Sequence, residues 1–372
     1  MLSIAERVQL IQRNTEEIIG ANEIAALLEQ DIPLRHYIGL EISGKIHLGT
    51  GLMCMQKVRD LQMAGVQCTI FLADWHTWLN EKLGGDRERI KEVAEKYFKK
   101  GLKASLKAIG GNPDKLDFIL GSDLYHNNDR YWEQLVQVSK NVTLSRIERS
   151  ISIMGRSEGD ATQFAMLIYP PMQVTDIFAL QANFAHGGLD QRKAHVIARD
   201  VALNLDILPL KDRHAKTIKP IIVHHHLLLG LDKPPTWPLP ADPEEIRAMR
   251  TAMKMSKSKP NSAVFIHDTP DEIRKKIRKA FCPPEIEYNP VLDWVEHLVF
   301  HNDMQFFVAR KEENGGDVTY ATFEELKAAY TSGALHPGDL KNATAEALIK
   351  IMEPIRAAFE GDNEANAIWQ GM

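Results

Sequence analysis

Residues 39–55 read GLEISGKIHLGTGLMCM, and the way this stretch folds sets the architecture around it. It begins at the end of HYIGLE (36–41), an apolar run of strand length, and passes into a helical pattern from His47 to Ala64 that Gly65 closes. Gly44, Gly49 and Gly51 stand where strand gives way to helix. Glycines in that place let backbone amides and a helix N-terminus come close to a phosphate. No GK[ST] closes the turn and no GxGxxG spacing is present, so it is neither a P-loop nor the dinucleotide fingerprint.

The same alternation continues outward. QCTIFLAD (67–74) reads as a strand, Arg87 to Ile109 as a helix and KLDFILGS (115–122) as a strand. Helices dominate up to Leu180, ANFAHGG (182–188) is a short strand, Gln191 to Leu205 a helix, and KPIIVHHHLLLGL (219–231) another strand. Ser3 and Glu6 form a capping box before an opening helix with Ile4, Val8 and Ile11 on one side. Short apolar strands separated by helices predict an α/β fold with a Rossmann-like, doubly wound parallel sheet covered on both faces. Ligands of such sheets bind beyond the carboxyl ends of the strands, where the strand order reverses.

A proline-rich, acidic stretch, DKPPTWPLPADPEE (232–245), predicts a surface loop. After Thr269 the composition changes. Pro270 to Ala280 reads as a basic helix, and Asp339 to Phe359 as a long one with Leu340, Ala343, Leu348, Ile351 and Ile355 in a stripe. The expected division is residues 1–269, holding the sheet, and 270–372, a smaller and mainly helical domain. At 372 residues the length suits two domains, each with its own core.

Composition narrows the class. The hydrophobic share of 44% and charged share of 26% are those of an ordinary soluble globular protein. No run approaches the roughly 18 apolar residues of a membrane span, and Glu6 and Arg7 stand where a signal peptide would be apolar, so a cytoplasmic protein is expected. A net charge of -5 argues against coating nucleic acid non-specifically and leaves local basic patches to hold any nucleic-acid partner. Cys54, Cys68 and Cys282 show no CxxC spacing. His224, His225 and His226 are consecutive on a strand and alternate faces, so they cannot all reach one ion, and no metal site is expected.

MKMSKSKP (253–260) places Lys254, Lys257 and Lys259 among serines. Either it is a solvated loop or the lysines form a clamp that follows a departing phosphate, with serine hydroxyls as uncharged donors. The second half of a nucleotide site settles the matter. HLGT (47–50) resembles the HIGH motif, and KMSKS (254–258) the signature loop, of class I aminoacyl-tRNA synthetases, in that order. Thr50 stands where the motif usually has its second histidine.

YPPMQVTDIFAL (169–180) and HGGLDQRKAH (186–195), together with YIGLEISGKIHLGT, LADWH, GGDVTY and LHPGDLKNATAEALIKIMEPIR, resemble the tyrosyl-tRNA synthetases of archaea and eukaryotes over nearly the whole chain. The resemblance implies that Tyr37 and Asp176 hydrogen-bond the phenol of L-tyrosine, and that Tyr169, Gln173 and Gln191 hold its α-amino group. It implies that Asp190 meets the ATP ribose and that Gly44, His47, Gly49, Lys257 and Ser258 contact the nucleotide. By the same resemblance His47, Thr50, Lys254 and Lys257 would serve the catalytic step, Thr50 through its hydroxyl, with Mg²⁺ accompanying ATP as substrate and no permanently bound cofactor.

On the tRNA side the resemblance implies that Arg149 touches the acceptor stem, or else makes a surface ion pair. His336, Pro337 and Asp339 would meet the anticodon of tRNA(Tyr), although Asp339 could also be a helix N-cap. The family's aromatic before GGD is replaced by Asn314, which leaves base stacking to a neighbour such as Phe306 or Phe307. Arg274, Lys275, Lys276, Arg278 and Lys279 make a basic helix that suits tRNA phosphates or simply a solvated face. ADWH (73–76) lines the tyrosine pocket or packs beneath it. A homodimer is expected from the resemblance alone. The nearest rival is a tryptophanyl-tRNA synthetase; a small-cofactor nucleotidyltransferase and a non-catalytic RNA binder are further alternatives.

Overall fold

The computed structural model describes residues 2–155, 163–238, 240, 242, 245, 246, 249 and 252–372. Six strands form the main sheet: β1 (Thr15–Ile19), β2 (Arg35–Leu40), β3 (Gln67–Leu72), β4 (Leu116–Leu120), β5 (Phe184–Gly188) and β6 (Ile221–His225). Their order is β1-β6-β5-β2-β3-β4, so the chain winds one way from β2 to β4 and the other from β5 to β6. The reversal lies between β2 and β5, where His36 to Ile38 pair with Phe184 to His186. A crevice opens beyond the carboxyl ends of these two strands, as the topology requires.

The sheet is not purely parallel. β1 runs antiparallel to β6 along one edge, an element the sequence reading missed. Its sequence, TEEII, is short and carries two carboxylates, which suits an edge strand but hides the strand pattern. Strand β6 also ends at His225, well before Leu231. Beyond it the chain bends to meet the lysine loop, with Leu229 bridged to Lys254. Parts of the proline-rich stretch 232–245 lie outside the described residues.

Helices lie where hydrophobic periodicity put them. The capping box at Ser3 and Glu6 is formed, and Thr269 with Glu272 makes another that starts the Pro270–Lys279 helix. The long C-terminal helix runs Pro337–Ala357, capped by the His336 side chain accepting from the Gly338 amide. Asp339 therefore sits in the first turn and is not the N-cap. The C-terminal helices do not have a core to themselves: one buried cluster continues from Ile38, Ile46 and Leu52 near the sheet to Ile273, Trp294, Leu348 and Ile355, while a second, with Phe71, Tyr131, Phe178 and Ile222, is distinct from it. Among the described residues, no helix is long and apolar enough to cross a membrane.

Candidate active site

The crevice at the strand reversal is a cavity whose lining includes Tyr37, His76, Tyr169, Gln173, Asp190 and Lys257. Its deep end is built on the Tyr169–Ala179 helix, whose first turn accommodates Pro170 and Pro171 because amides there have no helical partner. Tyr169, Gln173 and Asp176 recur at helical spacing and are all buried. Asp176 is fully buried, and its Oδ1 accepts from the hydroxyls of Tyr125 (3.0 Å) and Tyr131 (2.9 Å). Its Oδ2 has no partner and lies 3.7 Å from His76 Nε2. Burial pushes the Asp176 carboxyl well above the usual carboxylate range, against the pull of the two tyrosine hydroxyls. Burial drives His76 down to about 3, so its imidazole is neutral.

Next to it, Tyr169 donates to Glu41 Oε1 (2.9 Å), which also accepts from Asn80 (2.9 Å). Gln173 Nε2 donates to Gln191 Oε1 (3.2 Å), and Gln191 Nε2 to the Ile153 carbonyl (3.1 Å), leaving Gln173 Oε1 unpaired. Beside the unpaired ring nitrogens of His76, the pocket holds two buried oxygens that need partners, Asp176 Oδ2 and Gln173 Oε1. Leaving such atoms unmade costs about 1–3 kcal/mol each. A ligand with a hydroxyl at one end and an ammonium at the other satisfies both.

The shallow end is where the two signature segments meet. The lysine loop is laced to the chain leaving β6 by Gly230 N–Met253 O (2.6 Å) and Met255 N–Leu228 O (2.7 Å). The residues after it pair with the stretch before the helix, through Leu48 N–Val264 O and Ile266 N–Ile46 O, both 3.0 Å. A Cβ at Gly51 would meet Ile266 Cγ2 at 2.7 Å, so only glycine admits this contact. Gly44 has φ +125°, and its bare Cα leaves room for the Lys257 stem, which a Cβ would meet at 3.3 Å.

Here the charges face inward. Lys254 Nζ lies 2.8 Å from Asp190 Oδ2, and Lys257 Nζ donates to Ser43 Oγ. Burial lowers Lys257 to about 8, with Lys82 adding to the effect and Glu41 opposing it. His47 Nδ1 accepts from the Gly49 amide (3.1 Å), which puts its proton on Nε2. Burial, then Lys257 and Lys254, hold His47 near 3, so the ring is neutral and offers a donor N–H. Gly49 and Thr50 line the cavity beside it. Two lysines, a neutral donor imidazole and a helix start converge where polyphosphate would lie.

The chain matches the family model for class I tRNA synthetases of tryptophan and tyrosine over residues 29–353. That model covers both amino acids; the relatives separate them. The tyrosine–tRNA ligase of Thermococcus sibiricus is 55% identical over 362 residues, covering 96% of each chain. The crystal structure of Pyrococcus horikoshii tyrosyl-tRNA synthetase complexed with L-tyrosine superposes with a TM-score of 0.96 at 53% identity, covering all of both chains. The chain belongs to the archaeal-type tyrosyl-tRNA synthetases. The synthetase of Aeropyrum pernix matches at a TM-score of 0.82 and 37% identity, over 100% of this chain and 99% of that one.

Against that synthetase frame, most expected site residues gather at the one cavity: Tyr37, His47, Gly49, Thr50, Tyr169, Gln173, Asp190, Gln191, Lys254 and Lys257 line it, and Gly44 and Asp176 sit just behind. Ser258 departs from expectation. It is exposed and outside the lining, sharing a hydrogen bond with Ser256, which is in it. Sequence reasoning missed Tyr125, Tyr131, Glu41 and Ser43. Glu41 and Ser43 were visible as polar residues at a strand end; Tyr125 and Tyr131 reach Asp176 from other segments and left no signal.

The remaining expected residues lie away from the cavity. Arg149 is exposed at the end of the Leu144–Ser150 helix, and its carbonyl accepts from Lys193 (2.6 Å). His336, Pro337 and Asp339 open the long C-terminal helix. Phe306 is buried and so cannot stack on a base, whereas Phe307 is 55% exposed; the side chain of Asn314 lies outside the described residues. The three consecutive histidines do part company as alternation demands. His224 bonds His195 and Glu17, His225 bonds His186, and His226 bonds Glu16 and Asp293. The carboxylates beside them, Glu16, Glu17 and Asp293, come from distant segments.

Proposed function

We infer that this protein is a tyrosine–tRNA ligase, which activates L-tyrosine with ATP to tyrosyl-adenylate and pyrophosphate and then transfers tyrosine to the 3′-terminal adenosine of tRNA(Tyr). The observation that carries the reading is one cavity with unpaired buried acceptors at its deep end and inward-facing cations at its mouth. In this reading Asp176 Oδ2 accepts the phenol proton with Tyr37 beside it, and Gln173 Oε1 accepts from the α-ammonium with Tyr169 and Gln191. Phenylalanine would leave Asp176 unpaired. Sites built this way reject the analogue lacking the hydroxyl by about 10⁴–10⁵, a range established on tyrosyl-tRNA synthetases themselves and so no independent prediction.

The tyrosine carboxylate attacks the α-phosphorus in line and pyrophosphate leaves. Positioning and charge carry such a step, with little covalent help from the protein. His47 Nε2–H, Lys254 and Lys257 face the phosphates, with Mg²⁺ arriving on ATP; Asp190 meets the ribose once Lys254 releases it. A loop suits lysines that must close on pyrophosphate and then let it go.

The same reading assigns residues 1–269 to catalysis and 270–372 to the anticodon, with Arg149 at the acceptor stem and His336, Pro337 and Asp339 at the anticodon. It places the enzyme in the cytoplasm as a homodimer. Exposed Trp132, Val136, Leu144 and Leu203, on segments tied together by Gln137–Asp206 and Arg146–Asp200, suit such an interface. The direct test is ATP–pyrophosphate exchange with tyrosine, tryptophan and phenylalanine supplied separately. Exchange with tyrosine alone is expected; exchange with tryptophan would overturn the roles of Tyr37 and Asp176.

A further inference from the structure

We propose that His226, Asp293 and His297 bind one divalent cation of the zinc class at the seam between the sheet and the C-terminal helices. One ligand atom from each lies within 4.8 Å of the others. His226 Nε2 is 2.7 Å and His297 Nε2 4.0 Å from Asp293 Oδ1. Asp293 and His297 are four residues apart, one turn along the segment that begins with the Pro290–Trp294 helix, and His226 follows β6 directly.

What lifts this group above a chance cluster is the second atom of every ligand. His226 Nδ1 is bonded to Glu16 Oε2 (3.0 Å), His297 Nδ1 to Asn14 Oδ1 (2.6 Å), and Asp293 Oδ2 accepts from the Leu229 amide (3.0 Å). Outer partners of this kind orient metal-binding histidines and fix which nitrogen carries the proton. Asn14 Nδ2 is used toward the His297 carbonyl and Gln56, so Oδ1 faces the ring and can only accept. His297 Nδ1 is therefore the protonated nitrogen, and Nε2 presents a lone pair to Asp293 Oδ1. No proton lies between His297 Nε2 and Asp293 Oδ1, 4.0 Å apart, and the proton that Asp293 Oδ1 does receive comes from His226, so a cation that displaces it would meet three ligand atoms.

The ion would take the position of the proton that His226 now shares with Asp293. The two rings are stacked, with centroids 3.9 Å apart and planes at 14°, so capture requires them to splay. For tetrahedral bonds of about 2.0–2.1 Å, with ligand atoms about 3.3 Å apart, the His297–Asp293 separation must also contract and the His226–Asp293 separation lengthen. Two imidazoles and one carboxylate favour zinc over magnesium, which prefers an all-oxygen octahedron. Such an ion is separate from any Mg²⁺ on ATP. It would tie the arm at residues 14–16, the chain leaving β6 and the helical segment that begins at Pro290 to one point.

The test uses the full chain, treated with chelator and titrated with Co²⁺ as a coloured substitute for Zn²⁺. One equivalent per chain giving the intense visible bands of tetrahedral cobalt, displaced by Zn²⁺ and not by millimolar Mg²⁺, is the expected result. His297→Gln should abolish the bands and weaken binding by at least tenfold. Asn14→Ala, which keeps all three ligands, should weaken it about 10–100-fold, and it carries the test alone if the first variant fails to fold. Absence of tetrahedral bands, displacement by Mg²⁺, or unchanged binding in a folded variant would each overturn the proposal.

Discussion

The two ends of the cavity solve opposite problems. At the deep end, the acceptor that reads the substrate is held rigidly and left unsatisfied: Asp176 is immobilised by Tyr125 and Tyr131 on one oxygen while the other has no partner. At the mouth, the charges already have partners inside the protein, Lys254 with Asp190 and Lys257 with Ser43. A buried, fixed acceptor discriminates between ligands, because a ligand without the matching donor leaves it bare. Loop lysines with exchangeable partners can follow a charge that forms and departs. Selectivity and turnover are thus lodged in different parts of one cavity, and substitutions should separate them.

The largest effect is expected from Asp176→Ala, which should lower kcat/KM for tyrosine in pyrophosphate exchange by about 10³ or more and erode discrimination against phenylalanine. Circular dichroism checks that the fold survives the freed tyrosine hydroxyls. If tyrosine preference persists in the folded variant, the deep end is not where selection occurs. Lys257→Ala should cost about 10²–10³ in kcat with little change in the KM for tyrosine, the mirror image of the first result. A rise in tyrosine KM instead would erase the division of labour.

A pH profile sharpens the same contrast. Lys257 is held at about 8, below its ordinary 10.5, so in the free enzyme its charge is present below that pH and is lost as pH rises through about 8. The kcat/KM for ATP should fall on the alkaline side with that midpoint. Lys257→Arg, which stays charged, should remove the limb, whether or not it restores the full rate. The smallest effect is expected from Arg149→Ala, remote from both ends. Charging of tRNA should drop about tenfold while adenylate formation stays normal, and equal losses in both assays would reject a tRNA role.

Much of this was legible before folding was considered, and the reason differs by element. The glycine turn at 44–51 and the helix at Tyr169 were readable because their signals are local: allowed φ, proline in a first turn, polar residues at helical spacing. β1 was not, since five residues with two glutamates look like a loop until β6 lies beside them. Phe306 and Phe307 could not be told apart as candidates, because adjacent residues on a short strand face opposite sides and only packing decides which side is wet. The partners of Asp176 and the carboxylates around His226 were invisible for a plainer reason: they arrive from segments tens to hundreds of residues away.

By itself, then, the sequence determined the class of fold, the order of the signature segments and the residue types at the substrate positions, because periodicity, glycine freedom and motif spacing are properties of neighbouring residues. Tertiary structure alone decided which polar atoms are paired and which are left open. That outcome depends on burial and on donors brought from elsewhere: Asp176 keeps one free oxygen only because two tyrosines from another segment occupy its partner, and His226 meets Asp293 only because the sheet ends against the C-terminal helices.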